Sequence, residues 1–484
     1  MAHKWSGALE EEKPLVLAGK RVTVMGLGVH GGGLGVARYL VSQGALVTVT
    51  DLKTEDQLRS SVEALRGLPV QLVLGQHRME DFRGVDMVVR NPAVPADSLY
   101  LAIAQEHGVA VEMEMGLFFR LCPAPIVGIT GTKGKTTTTL LVGAMLRSVE
   151  PQTVVAGNLR ISALELLPRI TRQTPVVLEL SSWQLEGIVS DRRSPHIAAV
   201  TNVSPDHLNR YRGFTEYVAA KAAIFQFQKA GDFLVLNYDD PVTRGFAASA
   251  YSQVVWFSQD KPVNGAYWRD GGCYWRPGRQ AKLVCSEGDV HLPGRHNLEN
   301  VAAAVAVAGT WGVPVATMAR AIRGFRGLEG RLEYLGQSGG VSYYNDTTAT
   351  APSSTIAALS CFDRPVVLIA GGADKALDFK ALGRAIADRA SWLVLLEGSA
   401  TDKLEAAVRE ALDSGGTVQL AGRFDTLVAA VDKAHELAKP GGAVLLSPGC
   451  ASFGMFANEF DRGEQFKAIV MAMMGAKVVQ EFNS

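Results

Sequence analysis

The sequence has few cysteines, and their spacing excludes two common uses of this residue. Among 484 residues there are five, at positions 122, 273, 285, 361 and 450. They are too few and too scattered for a disulfide framework, and no two of them form the C-x-x-C pair of a zinc ribbon. Cysteines used in this way are typical of a reducing compartment, so we expect a cytoplasmic protein.

Net charge and long apolar runs are also missing. Lysine plus arginine number 48 and aspartate plus glutamate number 48, so the formal net charge is zero. Without excess positive charge, binding to nucleic acid through bulk electrostatics is not expected. No uninterrupted apolar run reaches about 18 residues, the length of a membrane span. Residues 1–14 lack the basic-then-apolar order of a signal peptide, so no membrane insertion is expected.

The sequence does contain many short apolar runs that end in glycine-rich turns. Each run is too short for a buried helix and suits a strand of a buried parallel sheet. Segments with helical spacing, such as residues 34–43 and 297–311, lie between several of them, and this alternation predicts an α/β protein. The runs are at residues 22–25, 47–50, 87–89, 126–129, 176–178, 198–200, 233–236, 366–369, 393–396 and 444–446.

Length and two interruptions predict three domains. At about 150 residues per domain the chain is long enough for about three. Two prolines, Pro123 and Pro125, interrupt regular structure after the first block, and a glycine-rich stretch near residues 324–330 ends the second. We therefore predict domains over residues 1–122, 123–327 and 328–484.

One stretch of the second predicted domain carries paired aromatic residues. Tyr267-Trp268 and Tyr274-Trp275 flank Asp270-Gly271-Gly272, a pattern that predicts a β-hairpin. Such aromatics can also stack on nucleic acid bases, but no basic cluster accompanies them. A packed hairpin face is therefore the favoured interpretation.

A glycine-rich turn follows the first predicted strand. It reads Gly26-Leu-Gly-Val-His-Gly31, and Asp51 ends the next predicted strand. In this pattern backbone amides bind a pyrophosphate at a helix N-terminus, and the later carboxylate binds a ribose. NAD, another nucleotide such as a UDP-sugar, and a tight turn without a ligand all remain compatible with this motif taken alone.

A second glycine-rich loop spans residues 128–139 and reads Gly-Ile-Thr-Gly-Thr-Lys-Gly-Lys-Thr-Thr-Thr-Thr. Amides of such a loop bind phosphates, a lysine at Lys135 can neutralise the outer phosphates, and the Thr136 hydroxyl can bind Mg²⁺. The strict motif has glycine where Ile129 stands, so the loop is a variant and is less typical of motor or transporter ATPases. The alternative is that the threonine hydroxyls only cap the helix.

Candidate metal ligands follow two later strands. Glu179 ends one predicted strand, and Asp206 and His207 follow another. Open α/β sheets bind ligands at these strand ends, and a carboxylate with an imidazole suits Mg²⁺ or Mn²⁺. Each residue alone is more often a capping or hydrogen-bonding group, but their shared position downstream of one phosphate loop favours a metal site.

These motifs occur in the order found in the Mur ligases of peptidoglycan synthesis, which the sequence resembles over nearly its whole length. The most specific matches lie in the branch that adds D-glutamate to UDP-N-acetylmuramoyl-L-alanine. The matching segments are Gly131–Thr136, Gly157-Asn158, Leu178–Leu185, Asn202–His207, Ala220-Lys221, Gly294–Asn300, Arg331, Asn345–Thr350, Gly371-Gly372 and Ser447–Phe453.

The resemblance implies a fold, a reaction and its cofactors. It implies a Rossmann-like N-terminal domain for the UDP substrate, a central P-loop ATPase domain with a mostly parallel sheet, and a Rossmann-like C-terminal domain for the amino acid. The substrates are UDP-N-acetylmuramoyl-L-alanine and glutamate, joined through an acyl phosphate with release of ADP and phosphate. The cofactors are ATP, two Mg²⁺ ions and CO₂, bound as a carbamate on Lys221. A monomer is expected.

The same resemblance assigns site residues. Lys135, Glu179, His207 and Lys221 are the catalytic positions, although Lys221 taken alone is an ordinary solvated helix lysine. The metal ligands are Thr136, Glu179, His207 and the carbamate of Lys221. The ATP contacts are Gly131, Thr132, Lys133, Gly134, Lys135, Thr136, Thr137, Asn297, Asn300, Arg331 and Asp346. The UDP-substrate contacts are Gly28, Val29, His30, Gly31, Asp51, Asn158 and Ser182, and the glutamate contacts are Thr350, Lys375, Ser452 and Phe453.

Three positions depart from the family pattern. Thr348 stands where a lysine is usual, Gly330 where histidine is common, and Glu459 where phenylalanine is frequent. Because they cluster around the amino-acid and phosphate positions, addition of L-glutamate remains an alternative, as does another Mur-family ligase that adds L-alanine or a diamino acid. Outside the family, a dehydrogenase would leave Lys135 and Thr136 unexplained, and a non-catalytic nucleotide-binding protein would bind ATP without turnover.

Overall fold

A computed structural model describes residues 15–29, 31–159, 162–207 and 210–481. These residues form two compact units. The first extends to Glu287 and includes Glu299–Ile322, and the second comprises Gly288–Leu298 and the chain from Arg323 onward. The first unit contains two β-sheets and the second contains one.

The first sheet has five parallel strands. They are β1 (Arg21–Met25), β2 (Leu46–Asp51), β3 (Val70–Leu74), β4 (Met87–Arg90) and β5 (Ala110–Met113). The accompanying helices are α1 (Gly32–Ser42), α2 (Arg59–Glu63), α3 (Glu80–Arg83), α4 (Leu99–Glu106) and α5 (Glu114–Leu121). The strand order β3-β2-β1-β4-β5 reverses between β1 and β4. At such a reversal the loops leave in opposite directions and open a ligand-binding crevice.

The second sheet has nine strands. They are β6 (Ile126–Thr130), β7 (Val154–Gly157), β8 (Val176–Glu179), β9 (Ile197–Val200), β10 (Phe233–Asn237), β11 (Gln253–Ser258), β12 (Gly265–Arg269), β13 (Gly272–Arg276) and β14 (Lys282–Ser286). The helices are α6 (Lys135–Arg147), α7 (Ala163–Leu166), α8 (Ser182–Ser190), α9 (Phe214–Ala222), α10 (Pro241–Phe246), α11 (His296–Trp311) and α12 (Val315–Gly324). In the order β14-β13-β12-β11-β10-β9-β6-β8-β7, strand β6 lies between β9 and β8. The phosphate loop therefore leaves the sheet beside the ends of both strands that precede the predicted metal ligands.

The predicted hairpin is present as β12 and β13, which pair antiparallel. Its turn residues Asp270 and Gly271 have φ values of 49° and 72°, and two positive φ angles are typical of a type I′ hairpin turn. Trp268 and Trp275 are 5% and 8% exposed, so the aromatic residues pack into the protein as expected.

The third sheet forms the second unit. Its strands are β15 (Glu333–Ser338), β16 (Val341–Asn345), β17 (Val366–Gly371), β18 (Trp392–Leu396), β19 (Gln419–Phe424) and β20 (Ala443–Leu446). Its helices are α13 (Pro352–Leu359), α14 (Lys380–Arg389), α15 (Thr401–Asp413), α16 (Leu427–Leu437) and α17 (Glu459–Glu481). The order is β15-β16-β20-β17-β18-β19, with only the β15–β16 pair antiparallel, and it reverses between β17 and β20.

The central strands are apolar because both faces of each sheet are covered. Every residue of β6, β9 and β17 is buried. In β17, Leu368 packs with α14 and α15 on one face, while its neighbour Ile369 packs with α16 and α17 on the other. This alternation follows from the two-residue period of a strand. The predicted α/β class with mostly parallel sheets is confirmed. No helix among the described residues is long and apolar enough to cross a membrane.

Candidate functional site

The phosphate loop joins β6 to α6 in the first unit. Gly134 precedes the helix with a φ of 80°, and a Cβ atom there would lie 2.1 Å from Asn300 Oδ1. On the other side, Asn202 accepts hydrogen bonds from the amides of Thr132 (2.8 Å, to its carbonyl) and Lys133 (2.9 Å, to Oδ1). Only glycine fits this left-handed position so close to α11, and the loop is fixed from both sides.

Lys135 folds back over this loop. Its Nζ donates to the carbonyl oxygens of Gly131 and Thr132 over 3.0 and 2.9 Å. A cation is thereby held at the start of α6, where the first helical amides also favour the binding of an anion. The geometry suits a phosphate chain.

Thr136 and Glu179 form the oxygen-rich part of the site. Thr136 Oγ1 donates to Glu179 Oε2 over 2.7 Å, and Asn158 Nδ2 donates to Oε1 over 2.8 Å. Glu179 is 2% exposed. The Thr136 hydroxyl therefore contacts a buried carboxylate, and the N-cap of α6 is Gly134, which has no side chain to cap with. Both facts disfavour the interpretation of the threonines as mere caps.

Lys221 is buried, contrary to its interpretation as a solvated helix lysine. It is 2% exposed, and its Nζ donates to Thr130 Oγ1 over 3.1 Å. Burial, reinforced by repulsion from Lys135, lowers the pKa of Lys221 to about 7, although Asp206 and Glu179 oppose this shift. A large fraction of the amine is therefore neutral near pH 7.

His207 lies on the rim of the same region. Its backbone is left-handed, with a φ of 51°, and its side chain is half-exposed. The imidazole centroid is 5.4 Å from that of Trp183 and 6.3 Å from that of Tyr217. No group of three or more His, Cys, Asp or Glu side chains that could hold a metal gathers in the described part of the chain. A metal here would need the mixed set of hydroxyl, carboxylate, imidazole and lysine groups.

Tyr217, which the sequence motifs did not indicate, links these residues. It is buried on α9, one turn before Lys221, whose Nζ lies 5.4 Å from the Tyr217 ring centroid. Its hydroxyl is 3.2 Å from Thr132 Oγ1. A large aromatic residue four positions before a lysine on one helix was the available signal.

A charged network joins the first two sheets and was also missed. Arg90 ends β4 and donates to Glu186 Oε2 on α8 over 3.0 Å. Arg210 donates to the same carboxylate over 3.2 and 3.3 Å and lies 4.5 Å from the Trp183 ring centroid. Trp183 in turn contacts the His207 ring, so the network runs from the first sheet to a predicted metal ligand.

The N-terminal glycine turn lies at the reversal of the first sheet. Gly26, Gly28 and Gly31 all have positive φ values. Asp51 is 8% exposed, and its two oxygens accept from the amides of Gly28 (3.0 Å) and Lys53 (2.9 Å). The carboxylate thus holds the turn itself. Predicted contact His30 lies outside the described residues.

The other predicted contacts of the first unit occupy well-defined positions. Val29 is exposed, and Ser182 is buried at the first position of α8. Thr137 follows Thr136 in the first turn of α6. Asn300 is 3% exposed beside Gly134.

In the second unit, Asp346 follows β16 and is buried. It accepts from Ser447 Oγ over 2.7 Å and from the Leu332 amide over 3.1 Å. Burial raises the pKa of Asp346 to about 6, while these hydrogen bonds and the charge of Arg331 oppose the shift. Arg331 itself is exposed. Asn297 donates from Nδ2 to the carbonyl of Pro293 over 2.7 Å.

The predicted glutamate residues lie on loops at the reversal of the third sheet. Lys375 Nζ donates to Thr350 Oγ1 over 3.3 Å. The loop after β17 pairs with the loop after β20 through Ala373 and Ala451, whose amides and carbonyls bond reciprocally over 2.9 and 3.1 Å. Ser452, next in the chain, is buried, and Phe453 is 64% exposed.

Two of the departures from the family pattern contact each other. Thr348 donates to the Gly330 carbonyl from both its amide, over 3.0 Å, and its Oγ1, over 2.9 Å. The third, Glu459, begins α17 and accepts at its carbonyl from Thr347 Oγ1 over 2.6 Å.

Three family models match the chain in succession. They are a Mur ligase MurD-like N-terminal domain over residues 20–112, a Mur ligase middle domain over 129–308 and a Mur ligase glutamate ligase domain over 330–450. The chain belongs to the Mur ligase family. Its three-domain architecture, with one sheet for each model, follows from this match.

Two relatives of this Mur ligase are similar along almost their entire length. A UDP-N-acetylmuramoylalanine--D-glutamate ligase from Roseiflexus sp. (strain RS-1) is 54% identical over 94% of this chain and 99% of its own. A ligase of the same name from Symbiobacterium thermophilum is 40% identical over 94% of this chain and 98% of its own.

Solved structures agree with the fold of the Mur ligase. UDP-N-acetylmuramate-alanine ligase MurC from Thermotoga maritima has a TM-score of 0.54 at 19% identity, covering 94% of this chain and all of that one. A UDP-N-acetylmuramoyl-L-alanyl-D-glutamate--2,6-diaminopimelate ligase has a TM-score of 0.56 at 20% identity, covering 81% and 93%. At these identities the likeness concerns the fold alone.

Proposed function

We propose that this Mur ligase joins D-glutamate to UDP-N-acetylmuramoyl-L-alanine at the expense of ATP, in the synthesis of peptidoglycan precursors. The observation that carries the proposal is the similarity over 94% of the chain, at 54% and 40% identity, to two ligases named for this reaction. The relatives are covered almost completely, so the similarity includes all three domains.

The reaction forms an amide in two steps. The substrate carboxylate attacks the γ-phosphorus of ATP, giving an acyl phosphate and ADP. The amine of glutamate then attacks the acyl carbon, the C–N bond forms, the amine loses a proton and phosphate leaves. Negative charge on the transferring phosphoryl group needs a fixed cation. Lys135, held by two loop carbonyls, supplies one.

The donors present suit Mg²⁺, which Mur ligases generally require together with ATP. Thr136 Oγ1 and Glu179 Oε2 are hard oxygen ligands 2.7 Å apart. We assign them to one ion and His207, with a carbamate on Lys221, to the second. Bound Mg²⁺ polarises phosphoryl oxygens and offsets their charge.

Lys221 fits the carbamate assignment in its protonation and its position. Only a neutral amine adds to CO₂, and burial lowers the pKa of Lys221 to about 7. The nitrogen then forms a bond to the carbon of CO₂ and releases a proton, leaving an anionic oxygen pair. The buried end of α9 next to Thr130 excludes the water that would solvate an ordinary lysine.

The remaining assignments follow the loops that carry them. Amides from Gly131 to Thr137 bind the phosphates of ATP, Asn297 and Asn300 bind adenine, and Arg331 and Asp346 bind phosphate and ribose. The contacts of the UDP substrate are assigned to Gly28, Val29, Gly31, Asp51, Asn158 and Ser182, with His30 from the family match, and Asn158 is assigned to its reacting end. Glutamate takes Thr350, Lys375, Ser452 and Phe453.

A paired assay tests the proposal. The protein is incubated with ATP, Mg²⁺ and UDP-N-acetylmuramoyl-L-alanine, and phosphate release is measured with D-glutamate, L-glutamate, L-alanine or a diamino acid. Phosphate release with D-glutamate alone is expected. Turnover with L-glutamate instead would establish the alternative enantiomer, and release with none of the four would end the proposal.

We also propose a cytoplasmic monomer. Light scattering of the purified protein should give a mass close to 51.7 kDa, and a mass near twice that value would contradict the monomer. Cell fractionation tests the location, and recovery outside the cytoplasmic fraction would contradict it.

A further inference from the structure

Arg462 is a fully buried arginine near the start of α17. Its exposed fraction is 0%, which is rare for a guanidinium. It is not among the residues assigned to the reaction, and in the sequence it lies outside the segments that match the family.

The guanidinium reaches two loops at once. Nε donates to Thr347 Oγ1 over 3.1 Å and Nη2 to the Thr347 carbonyl over 2.8 Å. Nη1 donates to the Cys450 carbonyl over 3.4 Å. Strands β16 and β20 are neighbours in the sheet, and the planar donors of Arg462 connect the loops that follow them.

These two loops carry proposed glutamate contacts. Thr350 lies three residues after Thr347, and Ser452 lies two residues after Cys450. The loop of Lys375 is attached to the second of them through the Ala373–Ala451 pair. Arg462 is therefore placed to set the spacing among all three loops.

The chemistry of this contact is more specific than packing requires. The acceptors are two carbonyls and a hydroxyl, so burial of the charge is only partly offset, and the pKa of Arg462 is lowered to about 10. An apolar side chain of similar volume would fill the same space without that cost. An arginine is suited instead to fixing several acceptors in one plane.

We propose that Arg462 is a positioning residue for glutamate: it holds the Thr350 loop and the Ser452 loop at the spacing that binds the incoming amino acid. This inference rests on the proposed function for the identity of the ligand. The geometric part, that one side chain fixes two loops, stands independently and has its own test.

The kinetic test compares Arg462→Met with Arg364→Met. Arg364 is a matched control because it donates to Ser342 Oγ (3.2 Å) and to the Tyr344 hydroxyl (2.6 Å) of β16, in the same sheet. We expect Arg462→Met to raise the Michaelis constant for D-glutamate about tenfold or more and those for ATP and the UDP substrate less than about twofold. The control should leave all three within about twofold. Arg462→Lys, which keeps the charge but not the planar fork, should restore only part of the affinity.

Hydrogen exchange of the full-length protein tests the geometric part without turnover. In Arg462→Met, amides of residues 345–351 and 447–453 should exchange faster, while those of β18 should keep the wild-type rate. Thr347→Val removes the hydroxyl that accepts from Arg462 Nε and donates to the Glu459 carbonyl, but it keeps the Thr347 carbonyl acceptor, so it should give smaller changes of the same kind. It replaces the methionine variant if that variant does not fold.

The outcomes distinguish a failure of the proposed function from a failure of the positioning role of Arg462. A wild-type protein that does not turn over D-glutamate would refute the proposed function, while the exchange rates would still decide the positioning role. Turnover by the wild type, with equal rises of all three Michaelis constants in Arg462→Met, would refute the specific role in glutamate binding. Unchanged exchange in both loops would refute the positioning itself.

Discussion

Lys221 Nζ donates a hydrogen bond to Thr130 Oγ1 over 3.1 Å, at the point where β6 enters the phosphate loop. Because Lys221 is 2% exposed and also faces Lys135, its charged form is disfavoured. This hydrogen bond places an amine that is partly neutral at pH 7 at the start of the phosphate loop that leads to Thr136.

Lys221→Ala should lose nearly all turnover, because the variant cannot form the anionic oxygen ligand of a carbamate. Small carboxylates such as acetate should restore part of the activity by occupying the vacated space. Lys229→Ala, at an exposed lysine in the chain segment that follows the same helix, is the control and should retain wild-type activity. Phosphate release measured with and without acetate decides the matter, and full activity of Lys221→Ala would remove the carbamate assignment.

Replacing Lys221 by methionine should also change how stability depends on pH. The folded-state pKa of about 7 lies below the ordinary 10.5, so between these pH values the unfolded chain binds more protons than the folded protein. The cost of burying the charged lysine is complete below pH 7 and is relieved as the pH rises toward 10.5. Lys221→Met should therefore melt at a higher temperature than the wild type at pH 6.5, and this advantage should shrink by pH 9.

Thermal melts in CO₂-free buffer, without nucleotide or Mg²⁺, measure this difference directly. Carbamate formation would otherwise contribute its own pH dependence. A difference between variant and wild type that stays constant from pH 6.5 to 9 would contradict the lowered pKa.

The sequence was sufficient for the strands and for the phosphate loop, because their signals are local. A short apolar run bounded by glycines predicts a buried strand wherever it lies, and the residues of β6 and β17 are buried as expected. The loop before Lys135 likewise carries its chemistry within a few consecutive residues.

The burial of Lys221 and Arg462 could not be read from local pattern. Both lie on helices with mixed composition, and whether a helix face is buried depends on which element packs against it. Lys221 is buried against Thr130, which is 91 positions away in the sequence, and donates a hydrogen bond to it. Arg462 does the same with Thr347, which is 115 positions away. The hydrogen-bond partners of Asp51 could not be predicted from its pattern either. Its ribose contact stays a prediction, and in the structure its two oxygens accept from the amides of Gly28 and Lys53.

Gly134→Ala should weaken ATP binding more than its backbone strain alone explains. The new Cβ would lie 2.1 Å from Asn300 Oδ1, so the loop or α11 must move. Gly67→Ala is a matched control because Gly67 also has a positive φ, 85° against 80°, but a Cβ there would meet nothing within 4 Å. Both variants should lose about 1–2 kcal/mol of stability through the left-handed backbone.

Only Gly134→Ala should raise the Michaelis constant for ATP, by about tenfold or more, a change that corresponds to about 1.4 kcal/mol. Denaturant unfolding and ATP titrations of both variants separate the two effects. An equal effect of the two substitutions on ATP would show that the contact with Asn300 does not shape the phosphate loop.

Lys375→Met should raise the Michaelis constant for glutamate far more than that for ATP. Lys375 is exposed and its Nζ lies 3.3 Å from Thr350 Oγ1, so it can approach a side-chain carboxylate without first breaking a buried ion pair. A hydrogen bond to a charged group contributes about 1.5–3 kcal/mol, which corresponds to a rise of about 10- to 100-fold. Lys380→Met, at an exposed lysine that begins α14, is the control and should change neither constant.

The dependence on salt gives a second test of the same contact. Because salt screens an exposed ion pair, the Michaelis constant of the wild type for glutamate should rise with ionic strength, and that of Lys375→Met should rise less. A larger effect of Lys375→Met on ATP than on glutamate would move this lysine out of the amino-acid site.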